Sequence, residues 1–291
     1  MKSRCRQSAV ALLLVMWGLF IMSFAILGLI SLLQINIGNA SGMERLALAS
    51  SLAFAGVTMG RNPDFPANGH PETLRFPDGG TLEVSTVSEN GKLNVNVLLA
   101  NGERDTLRAL WRLWGLTDGE ADTVLDCLLD YVEPGGNRRL NGAKAPQYRA
   151  AGLPPPPGRL FRSIDEMTRV LHFDLVTAHK PDWRNFLTIY GDGRLDLRSA
   201  SPDVIRAWCR VGDASARAIH EGGANFGDLE AVRLALGLTS KEFAELQGRL
   251  SLGGPVRRVR STGTFAQARR TIEAIYQVND ASALILEWRE W

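Results

Sequence analysis

Hydrophobic and polar positions run in four successive rhythms along the chain. The first stretch is unbroken: no Asp, Glu, Lys, Arg or His occurs from Gln7 through Met43. Its most apolar part, Ala9 to Leu33, covers 25 residues, roughly 37 Å as a helix at about 1.5 Å per residue. That exceeds the ~20 residues needed to cross a hydrocarbon core. It also exceeds the roughly 7–15 apolar residues of a cleaved secretory signal. Glu44 to Ala55 follows, rich in Ala and Leu, with Leu48, Leu52 and Ala55 at helical spacing. Nothing breaks this pattern before Gly60 and Pro63. One long helix is therefore predicted over about residues 10–59. Its first half, about 10–33, suits lipid, and its second half suits packing on a soluble domain.

The second rhythm has period two. Leu82 and Val84 alternate with Thr81, Glu83 and Ser85, and the turn residues Asp78-Gly79-Gly80 place an earlier strand at Leu74 to Phe76. After Glu89-Asn90-Gly91-Lys92, the run Leu93 to Val97 is apolar at every second residue. Asn-Gly between alternating runs predicts a hairpin, because both turn residues tolerate positive φ.

From about residue 102 to 250 the period becomes helical. Leu107, Leu110, Trp111 and Trp114 form one apolar stripe. Thr117 with Glu120, Ser163 with Glu166 and Thr239 with Glu242 read as capping boxes. Ser201-Pro202 reads as an N-cap followed by proline at the first helical position. Gly152 to Gly158, with four consecutive prolines, reads as an extended loop. The last segment returns to strands. Val256 and Val259 belong to one; Ile272, Ala274, Tyr276 and Val278 lie on one face of another; Ala283 to Trp288 makes a third. A β, α, β order predicts an α+β fold in which residues 60–101 and 251–291 build one antiparallel sheet and residues 102–250 are an inserted all-α domain.

Charge adds direction to the apolar helix. Lys2, Arg4 and Arg6 precede it, and no further basic residue occurs before Arg45. The positive-inside rule places the N-terminus in the cytoplasm and the remaining residues outside. The formal net charge is +2. Removing the three leading basic residues leaves the rest near neutral, which excludes a broad cationic face for nucleic acid. Cys127 and Cys209 lie on the exported side, where a disulfide is permitted. Two buried free thiols fit the sequence equally well. His70, His172, His179 and His220 are scattered, and no zinc, phosphate-loop or nucleophile-elbow motif occurs, so no catalysis is expected.

Within the helical block, about 193–250 has a helix-hairpin-helix character: Gly193 to Ile205 leads into Arg210-Val211-Gly212-Asp213 and a second helix. Such hairpins bring closely spaced glycine amides to a phosphate. Here only Gly212 is present, Asp213 follows it, and five Arg face four acidic residues from Arg194 to Glu221. A short helical pair used for packing fits better than DNA binding, which relies on several phosphate contacts.

Several motifs, in order, give the chain a specific resemblance. Ala9 to Trp17 is similar to the entry "G-V-A-L-L-x-V-L-W", and Ser88 to Asn96 to "D-E-x-G-K-L-N-L-N". Leu129 to Glu133 stands for "L-D-W-I-D", Phe161 to Met167 for "F-x-S-x-D-E-L", and Gly193 to Ala200 for "G-K-V-N-I-N-T-A". These are motifs of the minor pseudopilin K family of the type II secretion system, within the wider type IV pilin class. The resemblance implies a cytoplasmic leader at 1–9, cut by prepilin peptidase between Ala9 and Val10, with Val10 N-methylated. It implies a single-pass inner-membrane protein with a periplasmic head. Its partners would be other minor pseudopilins and the major pseudopilin, met through the N-terminal helix. The function implied is capping and priming the pseudopilus for export of folded proteins, without catalysis and with no nucleic-acid partner. At the fifth mature position most pilins carry Glu; Leu14 stands here. A subunit at the tip has no neighbour above to pair with a carboxylate, which would then carry only a desolvation cost; Leu14 fits that place and equally fits a residue that simply suits lipid. The resemblance also implies calcium near acidic loops, with Asp130 and Glu133 as candidate ligands, although Lys144 replaces a family Glu there. The alternative reading is a membrane-anchored helix-hairpin-helix protein that binds or takes up DNA.

Overall fold

A computed structural model describes the backbone of residues 2–222, 226–279 and 282–291, and their side chains except those of residues 2–15, 30–41, 279 and 282. Helix α1 runs from Lys2–Gly60. Strands β1 (Glu72–Arg75) and β2 (Thr81–Ser88) follow, then a buried turn and the short β3 (Leu93–Asn94). The helical block contains α2 (Val95–Ala100), α3 (Arg104–Leu113), α4 (Asp118–Val132), α5 (Ala145–Ala150) and α6 (Asp174–His179). It continues through short strands β4 (Leu187–Thr188) and β5 (Leu195–Asp196) to α7 (Pro202–Cys209), α8 (Asp213–Gly222), α9 (Leu229–Leu236), α10 (Ser240–Leu246) and β6 (Leu250–Ser251). The chain ends with β7 (Val256–Phe265), β8 (Ala268–Asn279) and β9 (Ser282–Glu290).

The main sheet has the order β1-β2-β7-β8-β9, and every pairing in it is antiparallel. Strands from both sides of the helical block thus lie in one sheet, and β2 pairs with β7 from Thr81↔Thr264 to Ser88↔Arg257. The β1–β2 turn uses Gly79 at positive φ, and the Asp78 side chain accepts from Gly80 N.

Helix α1 lies on β2, β7 and β8 through its last three turns. The face that meets the sheet is Ala49, Ala53, Gly56, Val57 and Gly60, all buried. Of the expected stripe, Leu48 and Ala55 are exposed, while Leu52 is half-buried beside Gly80 and Gly263. Small residues win this face because the backbones approach closely. A Cβ at Gly263 in β7 would collide with the carbonyl oxygen of Ala49 and stand 2.6 Å from Ala53 N. A Cβ at Gly56 would overlap Ser261, Leu82 and Val84. Beneath the helix, Val84, Val259, Ile272, Ala274 and Tyr276 complete a small core.

Further toward the N-terminus, Met16, Trp17, Phe20, Phe24 and Leu29 stand exposed on the same helix. Among the described residues no helix is long and apolar enough to cross a membrane. The span expected over residues 10–33 includes side chains outside that description.

The helical block has its own, larger core. The stripe Leu107, Leu110, Trp111 and Trp114 is buried in it. Thr117 with Glu120 and Thr239 with Glu242 form reciprocal capping boxes. Ser201 caps α7 with Pro202 behind it. Ser163 departs from expectation: its hydroxyl accepts from Asp165 N at the head of a 3₁₀ turn. Glu166 is instead held by Arg159 and by the amide of Arg162.

The second hairpin does not form. Glu89–Gly91 is a buried 3₁₀ turn, and Leu93–Asn94 pairs in parallel with Leu187–Thr188. At Val95 the chain becomes helical, because the Asn94 side chain accepts from Val97 N and caps α2. Tertiary contacts decide here: a Cβ at Gly91 would sit 2.7 Å from the backbone of Ser199, so this Gly is needed for close packing rather than for a hairpin turn. Cys127 and Cys209 are both buried and free.

Candidate functional site: the buried junction between sheet and helical block

The segment Glu89 to Asn96 joins the sheet to the helical block, and its polar side chains make the joint. Glu89 is fully buried. Its carboxylate accepts from Lys92 Nζ (2.8 Å), Arg258 Nε (2.6 Å) and Thr188 Oγ1 (2.7 Å). Arg258, on β7, also reaches Glu273 on β8. Burial alone would raise the Glu89 pKa, but the Lys92 and Arg258 cations outweigh it and bring it to about 2. Burial lowers Lys92 despite Glu89. Burial would lower Arg258 too, yet Glu89 and Glu273 raise it above its ordinary value. Arg258 is clamped between two carboxylates and keeps its charge.

The asparagines complete the joint. Asn90 Oδ1 accepts from Val256 N (3.1 Å), the first residue of β7. It is closely flanked by Gly191 and Gly254, where side chains would overlap it. Asn94 Nδ2 donates to the carbonyls of Tyr190 (3.0 Å) and Gly191 (2.9 Å). Asn96 donates to Phe161 O (2.9 Å) and accepts from Phe161 N (3.0 Å), pairing with that loop as a strand would. On the same face of the sheet, toward its β9 edge, Tyr190 donates its hydroxyl to Glu287 (2.9 Å), and burial with Glu287 raises the Tyr190 pKa. Arg289 spans from Glu287 to Asp165 in the block. Burial would raise Asp165, but Arg184 and Arg289 hold it below the ordinary carboxylate range. Buried, fully paired polar groups fix one geometry, since leaving any of them unpaired is costly. This arrangement sets the block at one angle to the sheet and, through β7, to α1.

Of the residues singled out in sequence, Ala9, Val10 and Leu14 lie within the backbone of α1, and their side chains lie outside the described residues. Asp130 and Glu133 are brought together at the end of α4, where Arg139 Nη1 donates to Asp130 Oδ1 (2.7 Å) and Glu133 Oε2 (2.6 Å). That hydrogen bond and charge lower the Glu133 pKa. Among the described residues no group of three or more His, Cys, Asp or Glu could hold a metal ion. Arg258 and Glu273 were not singled out. The signal for Arg258 is an arginine two residues after Val256 and next to Val259, inside a strand that must be covered.

The hairpin module packs α7 and α8 together. Arg210 ends α7 in the left-handed conformation. Asp213, where a phosphate would approach, faces Arg206 (3.4 Å) and Arg217 (2.8 Å). Arg194 and Arg198 donate to the carbonyls of Leu250 and Phe226, and Arg210 pairs with Asp105. Each of the five arginines thus has a protein partner, while Val204, Ile205, Ala216 and Ile219 enter the large core.

The fold and its junction define a mixed helix-and-sheet protein: a long helix seated on an antiparallel sheet, with a rigidly joined helical block inserted between β2 and β7. Residues 91–181 match the family described as "Type II secretion system (T2SS), protein K". A chain of the crystal structure of the GspK-GspI-GspJ complex from the enterotoxigenic Escherichia coli Type 2 Secretion System has a similar fold, with TM-score 0.65 and 15% identity. That match covers 89% of this chain and 98% of the other. No curated protein sequence matches the chain. The chain is thus similar to protein K of type II secretion, in sequence over residues 91–181 and in fold over most of its length.

Proposed function

We propose that this chain is a minor pseudopilin that caps and primes the periplasmic pseudopilus of a type II secretion system. The observation that carries the reading is the inserted head: a helical block of about 150 residues, locked to the sheet through Glu89, Asn90 and Arg258, on a chain whose residues 91–181 match protein K. A subunit stacked above would meet that block, so the place it suits is the tip. The exposed apolar face of α1 supports anchoring in the inner membrane before assembly. After assembly the same face would pack against sister helices. Processing is read at Ala9–Val10, with methylation of Val10. The partners are minor pseudopilins of the kind found in the complex of similar fold, together with the major pseudopilin, and the role is assembly without catalysis.

Two measurements test this. Mass spectrometry of the protein from membranes should give a mature chain beginning at methylated Val10; a chain beginning at Met1 contradicts pilin-type processing. Pulldown of residues 40–291 should capture partner minor pseudopilins from the same secretion system and leave duplex DNA behind. Capture of DNA, with affinity falling steeply as salt rises, would favour the uptake reading instead.

A further inference from the structure

The end of α4 presents an oxygen-lined cup. The carbonyl oxygens of Asp130, Glu133 and Gly135 converge there, beside the carboxylates of Asp130 and Glu133. An all-oxygen donor set of this kind is what a hard divalent cation takes. In this chain a tethered cation already fills it. Lys144 Nζ donates to Asp130 O (3.0 Å), Glu133 O (3.1 Å) and Gly135 O (2.6 Å). An ammonium has three protons, and here each has its own carbonyl. Arg139 takes the carboxylates: Nη1 bridges Asp130 and Glu133, and its backbone N donates to Asp130 Oδ2 (3.1 Å). The neighbouring Asp126 is committed as well, to Arg104 and to Asn141 N. Gly142 closes the far wall so tightly that a Cβ there would overlap the Asp130 carboxylate.

These residues do not fit the calcium that the family resemblance implies. A divalent ion brought to the same oxygens would meet two fixed positive charges at contact distance. We propose that loop 133–144 is closed by Lys144 and Arg139 in place of a metal ion, so that the head folds and holds its shape independently of divalent cations. The position favours the substitution, since a cation at a helix C-terminus is stabilised by the unpaired carbonyls there. The inference stands apart from the assignment to a secretion system, because it concerns only how this loop is held.

Thermal unfolding of the full-length chain in detergent, followed by circular dichroism, tests it. The midpoint should be the same in excess EDTA and in excess calcium chloride. Lys144→Met, which keeps the apolar stem and removes the ammonium, should lower the midpoint by about 4–8 °C. The double variant Arg139→Gln/Lys144→Glu frees the carboxylates and adds one, and calcium should raise its midpoint. A wild-type midpoint that rises with calcium or falls with EDTA would overturn the proposal, as would stoichiometric calcium binding by wild type in isothermal titration. So would a Lys144→Met variant as stable as wild type, or a folded double variant indifferent to calcium. Should the double variant fail to fold, the wild-type measurements decide alone.

Discussion

Replacing Glu89 by Gln isolates the charge at the junction while preserving its shape. Oε1 faces Lys92 and Arg258, and Oε2 faces the Thr188 hydroxyl. The amide of Gln would turn its NH₂ toward Thr188, whose hydroxyl can accept as well as donate. The hydrogen-bond count survives, and the negative charge is lost. The Glu89 pKa falls from 4.5 to about 2. At about 1.36 kcal/mol per unit this is about 3 kcal/mol of differential stabilisation, at the lower end of the ~3–5 kcal/mol for breaking a buried pair. For a domain of this size that is a drop of about 6–12 °C in the unfolding midpoint. The pH dependence has a definite sign. Because the folded pKa is depressed, the stabilisation is complete above about pH 4.5 and is lost as pH falls toward about 2. Circular-dichroism melts of wild type and Glu89→Gln between pH 7 and pH 3 read both effects. The variant should melt lower at pH 7, and the gap should narrow steadily below pH 4.5. A variant that melts with wild type at pH 7, or a gap that stays constant into acid, would refute the charged junction.

Gly263→Ala drives a methyl into the backbone of α1 at Ala49 and Ala53; urea unfolding should show a loss of about 1–3 kcal/mol or more. Cys127 and Cys209 are buried, and burial raises each thiol to about 12. Neither should react with iodoacetamide at pH 8 in the native protein, and both should react after unfolding in urea. Asn90→Ala removes the acceptor of Val256 N at the start of β7. It should destabilise the chain by about 1–3 kcal/mol and speed hydrogen exchange at Val256 more than at the centre of the helical block.

Much of the architecture was legible because it is written in periodicity. The strands at 81–88 and 268–279, the stripe Leu107–Trp114 and two of three capping boxes follow from local spacing and local chemistry. The gathering of both strand groups into one sheet followed from their order around the helical block. What the pattern hid was set by distant partners. Leu93 to Val97 has the alternation of a strand, yet Ser199 packs against Gly91 just before it, Leu93 and Asn94 pair with the distant Leu187 and Thr188, and Asn94 caps a helix from Val95. The side of α1 that meets the sheet was half visible: Leu52 packs at its margin, but the sheet selects the smallest residues for the centre and leaves Leu48 exposed. The junction was half visible. Its motif Glu89 to Asn96 stood out as a string, but its ion partner Arg258 lies 169 positions away, and no spacing rule connects them.

That separation has a consequence for the order in which the molecule is built. Bringing the ends of a disordered segment this long together costs about 4–5 kcal/mol of chain entropy. The two strands gain nothing until they touch, so condensing the intervening helices first, which shortens the loop to be closed, is the cheaper order. Strand β7 then completes the sheet, and it is on β7 that the long helix chiefly rests. A chain with a damaged head would therefore leave its own rod unseated. The insertion thereby ties the seating of the rod to a part of the chain far from it in sequence.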